Sequence, residues 1–271
     1  MQTNSQKYLI LYSKFKDKNL EVTRKLIGML DADAINIDNI SKIPNINQYS
    51  TIFTIGGDGT VLKAIHLAKG YNITIAGVNL GRRGYIARIN VNDLEQQIKN
   101  IINKRYTCES FSFVEGQVDN KTAVAVNDII ITKNNPLTTC ELNLKITTEE
   151  GTYENNFICD GLLISTAFGS TAYNKSLQSS IITPSCPAYI ITPINPIKSD
   201  FKSIVISDYS QISVSLVDRG KNQKALVGFD GTQVVWELNG GENICIQKSK
   251  NTFSLLKPIG YNYFTNLKEK M

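Results

Sequence analysis

Over its first hundred residues the chain alternates short apolar runs with longer segments in which apolar side chains recur every three or four positions. The runs at residues 7–13, 50–57 and 73–80 are rich in Ile, Leu and Val and predict buried strands. Residues 19–31, 60–70 and 93–106 carry the helical period. In the last of these, Asn92 stands at the N-cap position with Glu95 three residues on, a start signal for a helix. Strands interleaved with helices predict βαβ units on a parallel, Rossmann-like sheet over residues 1–106. After Tyr106 the period falls to two. Leu142, Leu144 and Ile146 alternate with Asn143, Lys145 and Thr147, and Ile212, Val214 and Leu216 alternate with Ser213 and Ser215. The separators Glu149-Glu150-Gly151 and Asp218-Arg219-Gly220 are turn chemistry. A β-rich domain is therefore expected over 107–250, followed by a tail, 251–271, with a strand and a short terminal helix.

Composition narrows the function classes. The chain has 271 residues, 42% hydrophobic and 20% charged, as in an ordinary globular protein of two modest domains. Lys and Arg number 29 against 24 Asp and Glu. A net charge of +5, dispersed along the chain, is too mild for nucleic-acid binding. The first ten residues lack a cationic segment and an apolar core, and no stretch approaches the roughly 18 apolar residues of a membrane span. A cytoplasmic protein without a membrane partner is expected. The five cysteines are odd in number and far apart, which argues for reduced, mostly buried thiols. One histidine, His66, leaves no room for a Ser/His/Asp triad or a zinc protease site and reads as a helix residue at the core edge.

Three segments depart from ordinary structure. Gly56-Gly57-Asp58-Gly59-Thr60 joins an apolar strand to a helix, where glycines let a phosphate approach the helix N-terminal amides. A carboxylate in that turn repels phosphate, so Asp58 suits work on a hydroxyl or a cation. Lys63, just inside the helix, is placed to assist a phosphate, although a solvated lysine is the plainer reading. Asn127-Asp128 interrupts the apolar run 123–131, and side-by-side polar residues on a strand must face opposite ways. In the third segment, a buried strand after Asp160 runs into Gly169-Ser170-Thr171-Ala172-Tyr173, followed by Ser176. Its hydroxyls suit a helix cap or ribose and phosphate oxygens equally well, and Tyr173 offers a ring to a planar base.

Together, in this order and at these separations, the three segments resemble the NAD kinase family across almost the whole chain. The resemblance implies an N-terminal α/β domain, a C-terminal two-sheet β domain and a tail that returns to the first domain. It implies phosphorylation of the adenosine 2′-hydroxyl of NAD by ATP to give NADP, with Asp58 as general base and Mg²⁺ or another divalent cation carried in with ATP. By the same resemblance Gly57, Asp58, Gly59, Lys63, Asn127, Asp128, Asp160, Thr171, Ala172, Tyr173 and Ser176 fall at nucleotide-binding positions, and a homo-oligomer, dimer or tetramer, is expected. Some residues depart from the family pattern: Asp128 stands for Glu, Phe157-Ile158 for a basic or polar residue, Gln178-Ser179 for Gly-Gly, and Arg83 for an apolar residue. A lipid or sugar kinase with a GGDG-type loop and a silent NAD(P)-binding sensor are the competing readings.

Overall fold

The structure, a computed structural model, describes residues 7–43, 45–81, 84–197, 201–220, 223–231 and 233–270. The chain divides into two compact units, residues 1–111 with 251–271, and residues 112–250.

The first unit is built on β1 (Tyr8–Tyr12), β2 (Ala32–Asn36), β3 (Thr51–Gly56) and β4 (Thr74–Asn79), parallel in the order β4-β3-β1-β2. Helices α1 (Glu21–Met29), α2 (Asp58–Leu67) and α3 (Leu94–Ile102) follow β1, β3 and the short β5 (Ile89–Asn90). Leu9, Ile10, Leu11, Ile52, Phe53 and Ile55 are fully buried, which is why β1 and β3 read as unbroken apolar runs and not as alternations. From β1 the chain goes to β2 on one side and later to β3 and β4 on the other. Their divergence at the C-terminal strand ends is a topological switch point, where open α/β sheets bind ligands.

Two local expectations are corrected in this unit. The strand β2 has no counterpart in the pattern reading: as an edge strand paired only with β1 it buries none of its residues fully, so Ala-Asp-Ala-Ile-Asn carries no apolar signature. Asn92 is not the cap of α3. A 3-10 turn over Val91–Asp93 precedes the helix, and it is the Asn90 side chain that accepts the Asn92 N–H. The tail returns to this unit, with Ser254 and Leu255 pairing in parallel with β4, Leu256 entering the core and a helix over Tyr263–Lys270 ending the described residues.

The second unit is a two-sheet β structure. One sheet is antiparallel throughout, in the order β13 (Ile204–Ser207), β12 (Ala188–Ile194), β11 (Gly161–Thr166), β8 (Asp128–Lys133), β15 (Lys224–Phe229) and β16 (Val234–Asn239). The other joins β10 (Gly151–Cys159), β9 (Cys140–Thr148), β14 (Gln211–Leu216) and the first part of β17 (Asn243–Lys257), and a hairpin of β6 (Thr107–Val118) and β7 (Lys121–Ala125) adjoins them. Leu142, Leu144, Ile146, Ile212, Val214 and Leu216 point into the shared core, as their alternation requires. At the Asp218–Gly220 turn the Asp218 carboxylate accepts the Gly220 N–H and Gly220 takes φ +69°.

The cysteines differ from expectation. Only Cys140 and Cys159 are buried, whereas Cys108, Cys186 and Cys245 are exposed; Cys245 lies between buried Ile244 and Ile246 and so faces outward. His66 is half-buried on α2. No described helix is long and apolar enough to cross a membrane.

Candidate active site

The glycine segment lies at the C-terminal end of β3, beside the switch point. Ser13, at the end of β1, donates its N–H to the Ile55 carbonyl, and Leu80, after β4, donates to the Gly56 carbonyl. Three glycines here answer to different demands. A Cβ on Gly56 would sit 2.3 Å from Thr60 Oγ1, so the fold itself excludes a side chain. A Cβ on Gly57 or Gly59 would meet nothing within 4 Å, and neither residue has positive φ. Their bareness answers to nothing inside the protein and leaves the start of α2 open to a ligand. Gly57 is the N-cap and supplies no side-chain acceptor, so the positive end of a ten-residue helix is left for an anion. Lys63 is exposed on the same helix.

Asp58 opens α2, half-buried, and its carboxylate is fixed by the backbone after Gly84. Oδ2 accepts the Tyr85 N–H at 2.8 Å, and Oδ1 accepts those of Ile86 and Ala87 at 3.1 and 3.3 Å. A carboxylate has about four lone-pair sites. Among the described residues three are taken, and the remaining one is on Oδ2. Arg83 lies outside the described residues.

In the second unit Asn127 and Asp128 sit at a junction between two strands. β7 ends at Ala125, Val126 and Asn127 form a bend, and β8 begins at Asp128. Both are nearly covered, Asn127 8% and Asp128 5% exposed. Burial, and then the negative charge of Asp230, push the Asp128 carboxyl up to about 7. The turn over Phe168–Thr171 packs directly on this bend: a Cβ on Gly169 would lie 2.1 Å from the Asn127 carbonyl oxygen. The structure thereby brings Asn127 and Asp128 together with the segment carrying Thr171, Ala172, Tyr173 and Ser176.

Within that segment the polar residues divide by role. Ser170 and Asn174 are fully buried and build the turn. Ser170 Oγ donates to the Ala167 carbonyl at 2.8 Å, while Asn174 donates to the Ser180 carbonyl at 2.9 Å and accepts from Thr192 Oγ1 at 2.8 Å. Thr171 and Ala172 are half-buried, Ser176 is exposed and the Tyr173 ring is 41% exposed, so these four are the ones left for a ligand. Gln178 stands at φ +56°, the left-handed conformation that a glycine adopts freely and that costs other residues about 1–2 kcal/mol. Phe157 is a core residue stacked on Phe201 at 5.1 Å, which accounts for an apolar side chain there.

Asp160 is not brought to this group within the chain. β11 pairs with β8 antiparallel, Ser165 opposite Asp128 and Gly161 opposite Thr132, so Asp160 lies at the other end, roughly 20 Å along the strand. There its carboxylate accepts Lys133 Nζ at 2.6 Å and Asn195 Nδ2 at 2.9 Å. The Asn195 hydrogen bond, and then Lys133, hold it below the usual carboxylate range. Lys133, Asn195 and Asp230 have no place in the motifs, whereas Thr166 closes the Asp160–Thr166 segment; the one sequence signal among those three is the Asp230-Gly231 turn dipeptide.

Comparisons with known proteins agree with this geometry. Residues 10–106 match the ATP-NAD kinase N-terminal domain and residues 126–257 the ATP-NAD kinase C-terminal domain. The chain is 31% identical over 222 residues to an NAD kinase of Cupriavidus pinatubonensis, covering 80% of this chain and 70% of that one. It is 29% identical to an NAD kinase of Lachnoclostridium phytofermentans over 98% of both chains. Its fold is similar to that of an NAD kinase from Archaeoglobus fulgidus in complex with ATP, with TM-score 0.76 and 23% identity over 98% of both chains. The yeast NADH kinase complexed with NADH gives TM-score 0.80 at 18% identity over 99% of this chain and 88% of that one.

Proposed function

Because the chain belongs to the NAD kinase family and phosphorylates NAD at the expense of ATP, we propose that Asp58 is its general base and the adenosine 2′-hydroxyl its target. The observation that carries this reading is the pairing of a fixed carboxylate with two bare glycines. Gly57 and Gly59 leave the α2 N-terminus open to a phosphate, and Asp58 beside them keeps one lone pair free on Oδ2. The 2′-hydroxyl gives its proton to that Oδ2 as its oxygen attacks the γ-phosphorus, and the bond from the γ-phosphorus to the bridging oxygen breaks to release ADP. Positioning and charge neutralisation supply most of the acceleration in phosphoryl transfer, so one base and an electropositive cradle suffice on the protein side.

Mg²⁺, or another divalent cation, neutralises the triphosphate and enters with ATP. Among the described residues no three His, Cys, Asp or Glu side chains group as a metal cage. Lys63, exposed on α2, is available to the same phosphates.

The β-rich unit recognises NAD. Tyr173 offers its exposed face to the base, Thr171 and Ser176 offer hydroxyls, Ala172 leaves space, and Asn127 and Asp128 bind ribose hydroxyls. Asp160, anchored by Lys133 and Asn195, presents a carboxylate at the far end of β11 to the nicotinamide side of the dinucleotide. A homo-oligomer, dimer or tetramer, is supported by the outer strands β13 and β16, whose Val205 and Val235 are 52% and 48% exposed. Free thiols on the surface suit a cytoplasmic, reducing compartment.

Incubating the protein with NAD, ATP and Mg²⁺ should yield NADP phosphorylated on the adenosine ribose. A product phosphorylated elsewhere, or none where NAD binding is demonstrated, would overturn the reading. Light scattering at micromolar concentration tests assembly, and a monomeric mass refutes it.

A further inference from the structure

The bend between β7 and β8 leaves no backbone group of Val126, Asn127 or Asp128 without a partner, and two side chains far away in sequence supply most of the partners. Thr166 serves the carbonyl side: its Oγ1 donates to Val126 O at 2.8 Å and its N–H to Asn127 O at 2.8 Å. Asp230 serves the amide side. Its Oδ2 accepts the Val126 N–H at 2.8 Å, and its Oδ1 accepts those of Asn127 at 2.7 Å and Asp128 at 3.4 Å. The link is reciprocal, since the Asp230 N–H donates to the Asp128 carbonyl at 3.0 Å.

Asp230 reaches this place by a turn after β15 in which it takes φ +46° and Gly231 φ +75°. Aspartate tolerates the left-handed conformation better than most residues. A carboxylate is also the group the geometry asks for, because three N–H donors converge on it and an amide has a single oxygen to receive them.

From this geometry we infer that Asp230 is a positioning residue for NAD binding: its carboxylate gathers the three amides of the bend and so fixes the Asn127 and Asp128 side chains for the nucleotide. The inference rests on the reading of those two residues as nucleotide contacts. A purely architectural clamp has no need of what accompanies it here. Asp230 brings its charge beside Asp128, itself 5% exposed, and two neighbouring carboxyl groups with little water are costly. Among the described residues, the other elements against Asp128 put no charge on it. Its register partner on β11 is Ser165, β15 places Phe229 opposite Ile129, and the 168–171 turn brings Gly169 to the bend. With Asp230 as the charged neighbour, Asp128 keeps its proton to near neutrality and can donate a hydrogen bond to a ribose oxygen as well as accept one.

The test is steady-state kinetics on Asp230→Ala and Asp230→Asn, with Asn127→Ala and Asp128→Ala as references. Asp230→Ala should raise the KM for NAD tenfold or more and leave the KM for ATP within twofold. Asp230→Asn should recover part of that loss, because its single oxygen in the place of Oδ1 still receives the Asn127 and Asp128 amides while its NH2 group loses the Val126 N–H. It should also move the pH dependence of KM for NAD to lower pH, and that movement should vanish when Asp128→Asn is added. Equal changes in both KM values, or a fall in thermal stability alone, would reduce Asp230 to a structural residue and overturn the inference. If Asp230→Ala does not fold, the pH profile of Asp230→Asn decides. Should Asn127→Ala and Asp128→Ala leave KM for NAD unchanged, it is the site reading that falls; normal effects there with a silent Asp230 condemn the inference alone.

Discussion

The two units hold their candidate site segments in opposite ways. In the first, Gly56 to Thr60 are consecutive on one strand-to-helix junction, and only the Asp58 carboxylate reaches further, to the amides of Tyr85, Ile86 and Ala87. In the second, the bend at Asn127 is held by Thr166, some forty residues on, and by Asp230, more than a hundred residues on. A local device survives as long as its own turn survives. An assembled one depends on strand register across a sheet, because β8 must lie between β11 and β15 for both clamps to reach it. Damage to the first should therefore strike the chemical step with binding kept, and damage to the second should strike recognition of NAD.

The largest effect belongs to Asp58→Asn. The amide cannot take the proton, and loss of a general base costs about 10²- to 10⁴-fold in kcat. The same change removes an acceptor from the Tyr85, Ile86 and Ala87 amides, for roughly 1–3 kcal/mol of stability. Rate assays and thermal melts on one preparation separate the two, and turnover within a few-fold of wild type would erase the contrast between the units.

Next comes Asp128→Ala. A hydrogen bond between a ribose hydroxyl and a carboxyl that is about half-ionised near neutral pH is worth about 1–2 kcal/mol, so KM for NAD should rise between about 5- and 30-fold while KM for ATP holds. An equal rise for both substrates would assign this carboxyl to structure.

Gly56 and Gly59 sharpen the comparison inside the local device. Gly56→Ala drives its methyl onto buried Thr60 and should lower stability by about 1–3 kcal/mol. Gly59→Ala meets open space in a helix, where alanine is favoured by about 1 kcal/mol, so the melting temperature should hold or rise while NADP formation falls. Unchanged kinetics in Gly59→Ala would mean that no phosphate approaches there.

The contrast also explains how much the sequence could say. The α/β unit, the β-rich unit and the glycine loop were legible because periods of 3.6 and 2 and a contiguous motif are local properties. The strand β2 was hidden, since an edge strand with half-covered faces has no apolar run. Asp230 was hidden for another reason: its meaning lies in pairing, and Asp230-Gly231 looks like any turn until β15 is set beside β8. Cys245 was misjudged because a residue type was used where strand parity decides the face, and Cys186 because it lies in a bend outside any strand.

A pH experiment tests the buried half of the comparison. The folded-state pKa of Asp128, about 7, lies above its ordinary value, so protonation favours the fold. That stability is fully present below about pH 4 and is lost as pH rises through 7. Asp128→Asn, which cannot ionise, should melt several degrees above wild type at pH 8 and show little difference at pH 4, as followed by circular dichroism. A gain that does not change with pH would deny the carboxyl its strained setting.

The smallest effect is expected at the far end of β11, where Lys133 and Asn195 hold Asp160. The ion pair is partly open, with Lys133 19% and Asp160 28% exposed, and such pairs contribute at most about 1 kcal/mol once solvent and salt screen them. Asn195 stays in place when Lys133 is removed, so the carboxylate of Asp160 keeps one anchor. Lys133→Met should therefore raise KM for NAD only a few-fold, leave kcat alone, and lose its effect as salt is raised to about 0.5 M, where the Debye length is a few ångströms. Asp160→Ala removes the group itself and should cost more than Lys133→Met. If the two substitutions cost the same, Lys133 itself meets the dinucleotide, and this end of the strand is a binding element assembled across β8 and β11 in the same manner as the bend at the other.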